Sequence, residues 1–106
     1  MKKTIRVMVF RKLKMEAEIS LRHLEVLKAV IKNQPIGIFR LSELLKMPKH
    51  RVRYSLRVLE QSGIIDPTPY GAVIRENGYE KIEKLKKEIE EIKSLIEKSE
   101  KIVKEL

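Results

Sequence analysis

The chain has 106 residues, enough for one compact domain and at most one further element. It contains no cysteine, which excludes a disulfide framework and thiolate metal sites. Its formal charge is +9, and that surplus points to a polyanionic partner if it is concentrated on one surface.

The surplus is concentrated. Residues 1–15 carry six basic side chains and no acidic one. Residues 34–63 carry six basic side chains (Arg40, Lys46, Lys49, Arg51, Arg53, Arg57) against Glu43 and Glu60. Residues 79–106 hold eight of each sign and cancel. No stretch approaches the roughly 18 apolar residues of a membrane span, and the N-terminus lacks the form of a signal peptide. A cytoplasmic protein with no membrane partner is expected. Frequent Lys, Glu and Ile with little Gln is a bias shared with hyperthermophile proteins.

In chain order, Thr4–Phe10 alternates and is rich in β-branched residues, which predicts a strand. Residues 11–19 read as a loop or an early helical turn. Ser20–Asn33 predicts a helix capped by Ser20, with Leu21, Leu24, Leu27, Val30 and Ile31 as its apolar stripe. Pro35 ends it. Residues 36–41 suit a very short strand or a turn. Ser42 is expected to cap a short second helix, which Met47-Pro48 interrupts. A third helix runs from about Pro48 to Ser62, and Gly63 suits a left-handed C-terminal cap. Residues 64–66 and 72–75 predict two short strands joined by Pro67-Thr68-Pro69-Tyr70-Gly71. From Tyr79 to Leu106 there is neither Pro nor Gly, and one long charged helix is expected. The chain thus divides at about Asn77, into residues 1–78 and 79–106.

The order of short helix, tight turn, longer helix and hairpin is that of a helix-turn-helix with a wing. On a wheel at about 100° per residue, Leu56 and Leu59 fall within about 40° of Val52. His50, Arg53, Tyr54, Arg57 and Gln61 fall about 100–200° away. Arginine can bridge guanine O6 and N7 in a major groove, and glutamine can pair with adenine. Lys46, Lys49 and Arg51 lie near the helix start, where free amides also favour phosphate. The candidate DNA-binding residues are therefore Lys46, Lys49, His50, Arg51, Arg53, Tyr54 and Arg57. The basic N-terminal arm (Lys2, Lys3, Arg6, Arg11, Lys12, Lys14) either tracks phosphates or solubilises an edge strand.

The run LSELLKMPKHRVRYSLRVLEQSGII resembles the winged-helix cores of archaeal and bacterial transcriptional regulators. Its signature is Leu59-Glu60-Gln61-Ser62-Gly63-Ile64-Ile65 leading into the wing. It is most similar to short archaeal winged helix-turn-helix predicted transcriptional regulators, and the long helix after the wing resembles that of PadR-like dimers. The resemblance covers roughly residues 36–75. It implies a mainly α fold with a small β-hairpin and a recognition helix whose residues 49–57 enter the major groove. One feature departs from it: the wing tip carries no Lys or Arg, Arg75 follows only on the second strand, and Tyr70 is the single candidate contact there.

In the last helix, Ile82, Leu85, Ile89, Ile92, Ile96, Ser99, Val103 and Leu106 follow 3-4 spacing, a heptad pattern that only Ser99 breaks. Twenty-eight residues span about 42 Å, more than a domain of this size covers, so a homodimer is expected through Ile82, Leu85, Ile89, Ile92, Ile96 and Val103. The pattern leaves a parallel or an antiparallel pair open. Glu–Lys pairs such as Glu80–Lys84, Glu83–Lys87 and Glu97–Lys101 stand at i,i+4 spacing.

No zinc or nucleophile–base signature is present. His23 and His50 lie on different elements, with His23 on a helix surface. Neither enzyme activity nor a cofactor or metal is expected. The expected function is a sequence-specific DNA-binding regulator acting as a homodimer on double-stranded DNA. The alternatives are a winged-helix module for protein contacts and a sequence-neutral chromatin or nucleic-acid binder.

Overall fold

A computed structural model describes residues 8–106. The expected strand lies mostly outside the described residues, as do Lys2, Lys3 and Arg6. Met8–Phe10 are coil and turn rather than strand, and Met8 O accepts from Arg11 N at 3.3 Å.

The fold is mainly helical, with a two-stranded antiparallel hairpin and a long C-terminal helix. Helix α1 runs Arg11–Asn33. It begins nine residues before the expected start, so Ser20 is an interior residue and not its cap. The reason is local: residues 11–19 are almost all strong helix formers, with no Pro or Gly to stop them. The side of α1 facing the core is Val26, Leu27, Ala29 and Val30, while Leu21 and Leu24 are exposed. The inward stripe is thus rotated from the expected one and confined to the C-terminal half.

Helix α2 runs Ile38–Leu45, with Gly37 at its N-cap. It starts where a strand or turn was expected, because Ile38, Leu41 and Leu45 recur at helical spacing and pack inward. Ile36 alone keeps strand character, as an isolated bridge to Ala72. Ser42 lies within α2. Its hydroxyl donates to Met47 O at 2.6 Å, and Met47 N donates to Ser42 O at 3.1 Å. These bonds close the turn to the next helix around Lys46, which sits in the left-handed region at φ 51°.

Helix α3 runs Lys49–Gln61 behind Pro48 at its N-cap. It ends as the sequence predicts. Gly63 has φ +75°, Gly63 N donates to Glu60 O at 2.9 Å, and Ile64 N donates to Leu59 O at 3.0 Å. That pair of bonds is a Schellman termination. Strands β1 (Ile65–Thr68) and β2 (Gly71–Ile74) pair with Ile65 opposite Ile74 and Thr68 opposite Gly71. The turn between them is therefore only Pro69-Tyr70, shorter than the five-residue link expected. Helix α4 runs Gly78–Glu105.

The core gathers Val26, Leu27, Val30, Ile36, Leu41, Val52, Leu56, Leu59, Ile64 and Ile65. Ile82 and Leu85, from the first two turns of α4, pack partly buried against it. Beyond them α4 presents its apolar residues to solvent. No helix of the described residues is long and apolar enough to cross a membrane.

Candidate nucleic-acid interface

Helix α3 is held by its apolar side. Val52, Leu56 and Leu59 are buried against α1, α2 and the hairpin. Burial of such side chains stabilises by roughly 1.5–3 kcal/mol each, so turning α3 about its axis would forfeit a large share of a small domain's stability. This fixes what the helix shows to solvent. His50, Arg51, Arg53, Tyr54, Arg57 and Gln61 are all exposed. Among the described residues no carboxylate lies within ion-pair distance of Arg53 or Arg57.

The two ends of α3 differ. No side chain caps its N-terminus, and Lys46 and Lys49 lie exposed beside it. Lys49 is not a free cation: its Nζ stands 4.1 Å from the centroid of the Phe39 ring. Phe39 is 70% exposed on α2, so this aromatic sits on the surface beside the start of α3. The sequence reading missed it because residues 36–41 were not assigned to a helix. The Ile38–Leu41–Leu45 spacing was the available signal, and Phe39 lies off that stripe.

His23, expected on the open surface of its helix, is half-buried between α1 and α3. Its Nδ1 lies 2.7 Å from Ser55 Oγ, and its ring centroid lies 5.4 Å from that of Tyr54. Burial, and then the nearby Arg22 charge, hold its pKa below the ordinary 6.5.

The hairpin tip is uncharged. Tyr70 is 83% exposed, so it is not a local packing residue. Thr68 Oγ1 organises the turn, donating to Gly71 O at 2.6 Å and accepting from Tyr70 N at 3.1 Å. Arg75 points away from the tip and pairs with Asp66 at 2.8 Å. The hairpin is tied to the helical body through Ile36 and through Gln34, whose Oε1 accepts from Ile74 N at 2.9 Å.

On another part of the surface, the N-terminal part of α1 and the C-terminal half of α4 flank an open trough of ≈ 500 Å³. Phe10, Leu13 and Ala17 form one wall, and Ile92, Ile96 and Val103 the other. Ser99 interrupts the apolar wall without leaving an unsatisfied hydroxyl, because its Oγ donates to Leu95 O at 2.9 Å. Ile82 and Leu85, expected in a seam between chains, are partly buried against their own core. Ile89, which was expected with them, is 53% exposed. The polar faces of α4 carry Lys86–Glu83 and Lys104–Glu100 pairs in place of the three expected ones. All are exposed and contribute little.

Among the described residues no group of three His, Asp or Glu is placed to hold a metal ion. No protein-family model matches this chain, and no curated protein matches its sequence.

Proposed function

We propose that this protein is a sequence-specific DNA-binding transcriptional regulator of the winged helix-turn-helix kind, acting as a homodimer with α3 in the major groove of double-stranded DNA. The observation that carries the reading is the polarity of α3. Its apolar side is locked inward by Val52, Leu56 and Leu59, which leaves Arg53, Arg57, His50 and Tyr54 on the opposite, exposed side. Two unpaired guanidinium groups one helical turn apart match the spacing at which a groove-bound helix reads neighbouring base edges. Lys46, Lys49 and Arg51 at the head of the helix are suited to flanking phosphates. The turn–helix–hairpin order around α3 agrees with that role. The uncharged tip agrees with a wing that adds little to affinity.

The dimer reading rests on the trough. A small chain that exposes Phe10, Leu13, Ile89, Ile92, Ile96 and Val103 leaves a contiguous apolar surface, and such surfaces mark association sites. The second copy lies along the outer half of α4 and the start of α1, while Ile82 and Leu85 serve each chain's own core.

Selection of duplexes from a random pool, followed by binding titrations at several salt concentrations, tests the function. Arg53→Ala and Arg57→Ala each weaken binding to a selected site by about 1–3 kcal/mol. Lys46→Ala lowers the salt slope by about 0.9 across all sequences. A selection that recovers no preferred sequence, with a steep salt slope, would favour the sequence-neutral binder. Wild-type affinity in both arginine variants would leave the protein-contact module.

A further inference from the structure

A polar link joins α1 to α3. Ser55 is the one buried polar residue of the described core, 1% exposed, on the side of α3 that faces α1. Its hydroxyl shares a 2.7 Å hydrogen bond with His23 Nδ1. The preceding residue, Tyr54, leans its ring on the same imidazole, with centroids 5.4 Å apart and planes tilted by 56°. Tyr54 nevertheless remains half exposed on the proposed DNA side of α3. One histidine therefore touches two successive residues of α3, Tyr54 through a tilted ring contact and Ser55 through Nδ1. Partial burial, and then the Arg22 charge, hold the imidazole pKa below its ordinary 6.5, which favours the neutral ring. That suits a hydrogen-bonded packing role more than a phosphate contact.

We infer that His23 is a positioning residue for DNA binding: its ring fixes the orientation of Tyr54, so that the phenol is already arranged when α3 meets the groove. This rests on the DNA-binding reading above. A tyrosine ring ordered beforehand loses less side-chain freedom on binding, and ordering one such side chain changes affinity by about three- to tenfold. The hydrogen bond to Ser55 sets where the imidazole sits. The ring contact is what acts on Tyr54.

The two contacts can be separated. His23→Phe keeps a ring against Tyr54 and loses the bond to Ser55. His23→Asn keeps an acceptor near the Nδ1 position and loses the ring. His23→Ala loses both. Each variant, full length, is titrated with a duplex recovered by the selection above and with a mixed-sequence duplex, and melted without DNA. Arg53→Ala and Arg57→Ala run alongside, and every His23 change is repeated in a Tyr54→Ala background. The expected result is that His23→Ala and His23→Asn bind about three- to tenfold more weakly, that His23→Phe restores most of the loss, and that none of the three matters once Tyr54 is alanine. Affinities that follow the melting temperatures instead of the presence of a ring would overturn the inference. So would His23 effects that persist unchanged in the Tyr54→Ala background. If the arginine variants lose binding while all His23 variants bind as wild type, the inference alone falls. If the wild-type chain does not bind duplex at all, the DNA reading falls and takes this role with it.

Discussion

Gly71→Ala adds one methyl group where the chain has no room for it. Gly71 opens β2 at φ +125°, a conformation that side-chain-bearing residues rarely adopt. Forcing alanine into such a region costs about 1–3 kcal/mol. A Cβ there would also lie 2.5–2.7 Å from the backbone C, N and O of Ile36. Backbone atoms cannot swing aside as a side-chain tip can, so the strand and the Ile36 segment must separate. Two hydrogen bonds hold that junction, Ile36 N to Ala72 O at 3.2 Å and Ala72 N to Ile36 O at 2.8 Å. Weakening them removes about 0.5–1.5 kcal/mol each. Alanine returns about 0.4–1 kcal/mol by stiffening the unfolded chain. The net expectation is a loss of about 1–6 kcal/mol, a substantial part of the 5–15 kcal/mol typical of whole proteins. Urea denaturation followed by far-ultraviolet circular dichroism measures it, since the chain has no tryptophan. Gly37→Ala is the matched control. Nothing lies within 4 Å of its Cβ position and its φ is −99°, so it should stay within about 1 kcal/mol of wild type. A Gly71→Ala protein less than 1 kcal/mol weaker than wild type, or a Gly37→Ala protein equally damaged, would refute the steric reasoning.

Three further outcomes are expected. Ile92→Glu combined with Ile96→Glu places charge on one wall of the trough and should yield a monomer by light scattering while circular dichroism stays helical; an unchanged mass would rule out this wall as the contact. Leu41→Ala, at a fully buried position on the inward side of α2, should cost about 2–5 kcal/mol in urea unfolding. Stability should also depend on pH through His23. Its folded pKa is lowered, so below the ordinary 6.5 the unfolded chain binds more protons than the folded one. The stabilisation by a neutral His23 is complete above 6.5 and is lost as the pH falls toward the folded value. The wild-type melting temperature should therefore drop more between pH 7.5 and 5.5 than that of His23→Asn, and equal drops would exclude His23 as the source.

Much of the central architecture was legible because its signals are local. The Val52–Leu56–Leu59 spacing set the inward side of α3 and, by subtraction, the outward side bearing Arg53, Tyr54 and Arg57. Gly63 marked the end of that helix because a left-handed cap there favours glycine. Legibility failed where the signal was long-range or ambiguous. Residues 11–19 hold good helix formers without a deep apolar stripe, since Leu13 and Ala17 face the trough instead of the core, so the start of α1 was placed late. Ser20 and Ser42 are both credible caps by residue type. Caps depend on which backbone amides are left open, and a longer helix and the Lys46 turn decided that. His23 was misplaced because its partner lies 32 residues away and the expected stripe included Leu21 and Leu24; counted from the buried Val26, Leu27 and Val30 it stands on the inward side. The split of the α4 heptads, with Ile82 and Leu85 inward and Ile92 and Ile96 exposed, depends on where the core stops, which periodicity alone does not encode.

Lys46 gives the bend between α2 and α3 a built-in tension. Holding a side-chain-bearing residue at φ 51° costs roughly 1 kcal/mol relative to what glycine would tolerate there. Glycine would ease the bend and take away a cation beside the helix that follows. On the proposed DNA-binding reading, tolerance to heat and attraction to phosphate therefore pull in opposite directions at this one position.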